Sequence, residues 1–76
     1  MRNKLIEIEN KLNILIDKMK YNDYLSFIKS NNKLNLYDET MCDYDEETIP
    51  DEIIYKLSPL FDEIIKVIDK KINEVT

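Results

Sequence analysis

Carboxylates are the side chains in this sequence that could carry chemistry, and eight of them fall between Asp38 and Glu52. No lysine or arginine occurs between Lys33 and Lys56. Hard oxygen ligands of this kind hold Ca²⁺ or Mg²⁺ when a loop folds around the ion. The pattern lacks the distal glutamate spacing of an EF-hand loop, and the chain has no glycine for its sharp turn. We therefore predict no metal site and no cofactor.

Nucleophilic catalysis is disfavoured by the composition. A side-chain nucleophile needs an adjacent base, and the sequence has no histidine, so no Ser–His or Cys–His pair can form. Two carboxylates can act as general acid and base only in a cleft that separates their pKa values. A chain of 76 residues has little room for such a cleft. We predict that the protein is not an enzyme.

The acidic segment is suited to binding a protein with a basic surface. The chain has 16 acidic and 11 basic residues, a net charge of −5, and residues 38–52 carry eight negative charges and no positive one. Complementary charge speeds encounter with a basic partner, whereas phosphates would be repelled, so no direct nucleic-acid binding is predicted. The alternative is that these charges only keep a loop solvated. The predicted partner-binding residues are Asp38, Glu39, Asp43, Tyr44, Asp45, Glu46 and Glu47.

Tyrosines punctuate the acidic segment. Tyr44, between two aspartates, is expected to be exposed, where it would offer a large contact area at low entropic cost. Carboxylates spaced by aromatic rings can imitate phosphates spaced by bases, so the segment could occlude a nucleic-acid-binding groove of its partner. Tyr37 and Tyr55 border the segment and are expected to close the edge of the core.

Small size, acidity and the absence of catalytic groups together resemble the small inhibitors encoded by phages and mobile elements, such as anti-CRISPR proteins. The chain is similar in the same respects to antitoxin and immunity proteins. The resemblance is one of type, and no residue role is transferred from any of these groups. It implies a non-enzymatic inhibitor that acts by binding.

The expected location is the cytoplasm. Cys42 is the only cysteine, so no intramolecular disulfide can form and a reducing compartment is favoured. Charged residues interrupt the apolar residues near the N-terminus, unlike the apolar core of a signal peptide. No run of about twenty apolar residues is present, so no membrane span is predicted.

The elements that position the acidic segment are inferred from the spacing of apolar residues. The segment from Arg2 to Lys20 has the i, i+3, i+4, i+7 pattern of an amphipathic helix. Its apolar stripe consists of Leu5, Ile8, Leu12, Leu15, Ile16 and Met19. Ile6 and Ile14 lie off this stripe. They suggest an alternative function, a homo-oligomeric scaffold in which this helix pairs through a heptad seam within its apolar stripe and Ile6 and Ile14 add contacts.

Polar residues mark the ends of a short second helix. Asn22 is predicted to be its N-cap, and it should stop at Ser30-Asn31-Asn32, where asparagine is expected to adopt a left-handed cap conformation. The alternation over residues 34–37 is a weak signal for an extended segment. A small hairpin over residues 34–45 is the less favoured alternative.

Two prolines predict the remaining helix boundaries. Pro50 suits the first turn of a short helix, and Ser58 followed by Pro59 predicts that a separate final helix begins there and runs to about Val75. The sequence therefore predicts a small all-α bundle of about four helices, two long and two short. It forms a single domain over residues 1–76, with the acidic segment as its principal loop.

Overall fold

The computed structural model describes residues 2–45 and 47–76, and within them the chain forms four α-helices and no strand. The helices are α1 (Arg2–Lys18), α2 (Tyr21–Ser30), α3 (Asn32–Met41) and α4 (Asp51–Val75). Two are long and two are short. The predicted all-α bundle is confirmed.

α1 and α4 pack against each other along their lengths and form the centre of the bundle. The buried side chains of these two helices are Leu5, Ile8, Leu12, Leu15, Ile54, Leu57, Phe61, Ile64 and Ile68. Ion pairs join Lys4 to Asp62 at 2.6 Å and Lys11 to Asp69, each across 58 positions, so the two helices run parallel. Each surface pair contributes about 0–1 kcal/mol. Burying one large apolar side chain contributes about 1.5–3 kcal/mol, so apolar packing holds α1 on α4.

α3 replaces the extended segment expected over residues 34–37, so that prediction and the hairpin alternative are wrong. Leu34 and Tyr37 are both buried, at a spacing of three that also fits a helix. Asn31 supplies the N-cap: its backbone is extended, and its side-chain oxygen accepts a hydrogen bond from the Leu34 amide at 3.0 Å. The predicted left-handed conformation of an asparagine at the end of α2 is also wrong, because no residue in the described ranges has a positive φ.

α4 is one continuous helix, so the predicted break at Pro59 is wrong. Pro59 lies inside the helix and lacks the N–H that would bond to the Tyr55 carbonyl. The Ser58 hydroxyl donates to that carbonyl instead, at 3.0 Å, so Ser58 is not an N-cap. Pro50 precedes the helix in extended conformation, and its carbonyl accepts the amides of Ile53 and Ile54. None of the helices formed by residues 2–45 and 47–76 is both long and apolar enough to cross a membrane.

Several surface side chains are apolar. Ile6 and Ile14 are 42% and 45% exposed, as their positions off the stripe predicted. Ile16, expected in the stripe, is 40% exposed, and Tyr55, expected at the core edge, is 64% exposed, so both predictions are wrong. Tyr37 is buried and packs edge-on against the Phe61 ring, with ring centroids 6.4 Å apart.

The acidic segment is only partly a loop. Asp38 and Glu39 belong to the last turns of α3. Asp51 and Glu52 lie in the first turn of α4, where the helix dipole stabilises negative charge. The connection between these helices is fixed by the buried side chain of Ile49 and by hydrogen bonds to Asp45.

Candidate partner-binding cleft

A cleft of about 410 Å³ lies between α1 and the region formed by α2, α3 and the start of the α3–α4 connection. We call it the acidic cleft. Its polar lining includes the carboxylates of Glu9, Asp38 and Asp45, and no lysine or arginine from the described ranges lines it. Leu12 and Met41 give it an apolar part. The cleft therefore combines negative charge with apolar surface.

Tyr37 bridges the two sides of the acidic cleft. Its hydroxyl donates a hydrogen bond to a carboxylate oxygen of Glu9, at 2.5 Å, and thereby joins α3 to α1. The Tyr37 ring is 1% exposed, so its position is set by core packing. Glu9 is thus held at the cleft by a residue that the core itself fixes.

Tyr24 differs from Tyr37 in that its hydroxyl has no partner among residues 2–45 and 47–76. The residue is 7% exposed, and its hydroxyl makes no hydrogen bond within the part of the chain that the structure describes. The oxygen is not sealed from solvent, and the side chain lines the acidic cleft, so the hydroxyl is reached from there. A buried polar group usually has a partner. Tyr24 therefore presents an available hydroxyl to whatever occupies the cleft.

The negative field of the cleft acts on Tyr24. Burial is the largest of the causes that raise the pKa of its hydroxyl from an ordinary value of 10.0 to about 12, and the charges of Asp38 and Glu9 and the neighbouring Tyr21 contribute to the same rise. Like charges nearby oppose ionisation of the phenol. The Tyr24 hydroxyl is therefore neutral throughout the physiological range and can accept a hydrogen bond from a cation.

Asp45 is both a cleft residue and the anchor of the connection that follows α3. Its carboxylate accepts hydrogen bonds from the amides of Glu47 and Thr48, at 2.9 and 2.8 Å, and from the Thr48 hydroxyl at 3.0 Å. The Asp45 amide in turn donates to the Thr48 hydroxyl oxygen at 3.1 Å. These bonds, led by that from the Thr48 amide, hold the pKa of Asp45 below its usual range. Its negative charge is thereby secured.

The structure brings together only part of the predicted binding set. Asp38, Tyr44 and Asp45 line the cleft, and Tyr44 is 37% exposed, which confirms its predicted exposure. Glu39, Asp43 and Glu47 are exposed outside the cleft lining. Glu46, also predicted, lies outside the described residues.

Residues from α1 and α2 complete the cleft, and the sequence analysis did not identify them. They are Glu9, Asn10, Asn13 and Tyr24. One signal for Glu9 was available: it lies one position after Ile8 and three before Leu12, so it borders the buried stripe of α1. No local pattern joins it to Asp38, because packing of separate helices brings them together.

A second cleft, of about 660 Å³, has the opposite character and shares no lining residue with the first. Lys18, Lys20 and Lys71 line it together with Met19 and Phe27, and the Lys71 ammonium lies 5.6 Å from the centroid of the Phe27 ring. Asp23 also lines it, so three lysines exceed one carboxylate there, and we call it the basic cleft.

The chemistry open to the acidic cleft is recognition of positive charge. Among residues 2–45 and 47–76, no three His, Cys, Asp or Glu side chains group closely enough to hold a metal ion. Carboxylates, a neutral phenol and apolar side chains instead match the charged tip and aliphatic stem of a basic side chain. Comparison of the chain with protein-family models, curated proteins and solved structures finds no match.

Proposed function

We propose that the protein binds a basic surface of a partner protein through its acidic face and blocks that surface. The acidic face comprises the acidic cleft together with Glu39, Asp43 and Glu47 beside it. The observation that carries the proposal is the acidic cleft itself, where carboxylates from α1, α3 and the α3–α4 connection line an opening without a lysine or arginine from the described residues. Complementary fields of this kind favour a basic partner and reject an acidic one.

The blocked surface is proposed to be one that binds nucleic acid. Such surfaces are rich in Lys and Arg, which neutralise phosphates. Carboxylates and Tyr44 on the acidic face offer negative charge beside an aromatic ring, as a nucleic acid offers phosphates beside bases. This action would make the protein a non-enzymatic inhibitor of the phage or mobile-element type, such as an anti-CRISPR protein, or an antitoxin or immunity protein. The cytoplasm is the proposed location.

The proposal is tested by capture of partner proteins from lysate with matched charge variants. Asp38→Lys with Asp43→Lys reverses two charges on the acidic face, and Glu7→Lys with Asp17→Lys reverses two exposed charges on α1 outside it. Both variants change the net charge equally. The captured amount of a partner that fits the proposal falls about tenfold or more only with the first variant, because like charges then oppose contact. It is also displaced by added nucleic acid. Equal capture by both variants would contradict the proposal.

A second candidate function is a homo-oligomeric scaffold that pairs through α1. The observation that favours it is the exposure of Ile6 and Ile14 on a helix whose other face is fully buried in the core. Light scattering tests it: a dimer should form at micromolar concentration and be lost on Ile6→Glu with Ile14→Glu. A monomer in the wild-type protein would exclude this candidate.

A further inference from the structure

We propose that the acidic cleft seats one arginine side chain of the partner, with its guanidinium between Glu9 and Asp38 and in hydrogen-bond contact with the Tyr24 hydroxyl. This inference rests on the proposed function and specifies the contact at its centre. It assigns the bound group and the three residues that receive it, which come from α1, α2 and α3.

The unpartnered Tyr24 hydroxyl is evidence for an occupant that is independent of charge. Tyr24 is more than nine-tenths buried, its hydroxyl oxygen is not sealed from solvent, and none of the residues in the described ranges bonds to it. Structures usually satisfy such a group with a protein atom or an ordered molecule. A ligand that donates hydrogen bonds and fits the cleft would satisfy it here.

The carboxylates determine that this donor is a cation. Glu9 has one oxygen engaged by Tyr37, which leaves its other oxygen available. Glu9, Asp38 and Tyr24 line the same cleft, and both carboxylates raise the pKa of the Tyr24 hydroxyl. No lysine or arginine in the described ranges lines the cleft to neutralise them. A positively charged group from outside is therefore the complement of the site.

The arrangement favours arginine over lysine and over a metal ion. A guanidinium is planar and carries five N–H donors in a fixed fork, so it can serve two carboxylates and a phenol at once, whereas an ammonium is a compact, strongly hydrated charge. Tyrosine rings line the cleft and suit a guanidinium face, and Leu12 and Met41 suit its aliphatic stem. Divalent ions require several converging oxygens, a grouping not found in the residues that the structure describes.

Methionine methyl groups provide the test. The chain has three methionines; Met41 lines the acidic cleft and Met19 lines the basic one. In the full chain labelled with ¹³C at the methionine methyls, acetyl-arginine amide should shift the Met41 signal saturably and leave Met19 unmoved. Acetyl-lysine amide should bind several-fold more weakly, because it lacks the fork of donors.

Two variants with matched controls locate the contact. Tyr24→Phe keeps the ring and should weaken arginine binding about tenfold, since it removes a hydrogen bond to a charged group. Tyr55→Phe removes an exposed hydroxyl elsewhere and should have no effect. Asp38→Asn should weaken binding about threefold, as expected for an exposed charge pair. Glu7→Gln, the same loss of charge outside the cleft, should change it little. Tyr24→Phe breaks no hydrogen bond, so it should fold.

Failure of this inference is distinguishable from failure of the proposed function. If acetyl-arginine amide does not shift Met41, or shifts it equally in Tyr24→Phe, the arginine site is wrong. If capture of a basic partner remains sensitive to Asp38→Lys with Asp43→Lys, the proposed function stands without that site. If Met41 does not respond to acetyl-arginine amide and capture does not depend on Asp38→Lys with Asp43→Lys, the inference and the proposed function are both wrong. An equal response to the lysine probe would overturn the assignment of arginine.

Discussion

Tyr24 and Tyr37 both line the acidic cleft, but their hydroxyls differ in what removal should cost. The Tyr37 hydroxyl donates to Glu9, whereas that of Tyr24 has no partner in residues 2–45 and 47–76. Tyr37→Phe should lower the free energy of unfolding by about 1.5–3 kcal/mol, the net value of a hydrogen bond to a charged group. Tyr24→Phe should leave it within about 0.5 kcal/mol of wild type. Urea unfolding at pH 7 measures both values.

Unfolding at alkaline pH tests Tyr24→Phe in a second way. The pKa of Tyr24 is raised to about 12 in the folded protein, so the folded state holds this proton more tightly than the unfolded chain does. The contribution of Tyr24 to the free energy of unfolding is then constant below pH 10 and declines as the pH rises from 10 through 12. The free energy of unfolding of Tyr24→Phe should therefore decline less than that of the wild type over that range. A large loss of stability in Tyr24→Phe at pH 7 would mean that its hydroxyl has a structural partner after all.

At the scale of residues, exposure was more predictable than contact. The helical spacing placed Ile6 and Ile14 on the surface, and the flanking aspartates predicted the exposure of Tyr44. Tyr55 was predicted wrongly although its helical spacing from Ile54 and Leu57 places it off the buried face of α4. Glu9 was missed because Asp38 lies 29 positions away in the sequence. The two meet at the cleft because α3 packs on α2 and α4, which both contact α1.

At the scale of elements, α4 shows how one residue compensates for another. Pro59 cannot donate to the Tyr55 carbonyl, and the Ser58 hydroxyl takes the place of the missing N–H. Pro59→Ala restores the N–H and should stabilise the protein by about 1–3 kcal/mol, since proline is unfavourable in helix interiors. Ser58→Ala should cost about 0.5–1 kcal/mol in the wild type, because that carbonyl loses its donor.

A double-mutant cycle tests this compensation. Ser58→Ala should cost less in the Pro59→Ala background than in the wild type, where the backbone offers no alternative donor. Urea midpoints and slopes of the four proteins give the coupling free energy. Equal costs of Ser58→Ala in both backgrounds would show that the hydroxyl does not replace the backbone bond.

The same helix explains which elements the sequence could predict. In α1 and the second half of α4, apolar residues recur at helical spacing over several turns. Such a pattern predicts a helix reliably, because one face of the helix must be buried. Proline gives only a local preference, and the packing of Leu57 and Phe61 on either side of Pro59 overrides it. For α3, alternation over four residues was too short to exclude a helix, and the Asn31 cap with the spacing of Leu34 and Tyr37 decided the outcome.

At the scale of the whole molecule, two clefts differ in the sign of their charge: carboxylates without a described lysine or arginine line one, and three lysines with Asp23 line the other. The acidic cleft and the basic cleft share no residues, and α1 and α4 carry neutralising ion pairs such as Lys4–Asp62 between them. The molecule is 34 Å long, whereas the screening length is about 10 Å at 0.1 M salt. A charged surface that meets the protein therefore responds to one face at a time.

This separation predicts unequal behaviour of two proteins with equal net charge. Asp38→Lys with Asp43→Lys and Glu7→Lys with Asp17→Lys each change the net charge from −5 to −1. On an anion exchanger at pH 7, the first variant should elute at lower salt than the second, because it dismantles the face with the highest density of negative charge. Circular dichroism should show equal helix content, which excludes unfolding as the cause. Identical elution of the two variants would mean that net charge alone governs binding and that the acidic face is no special surface.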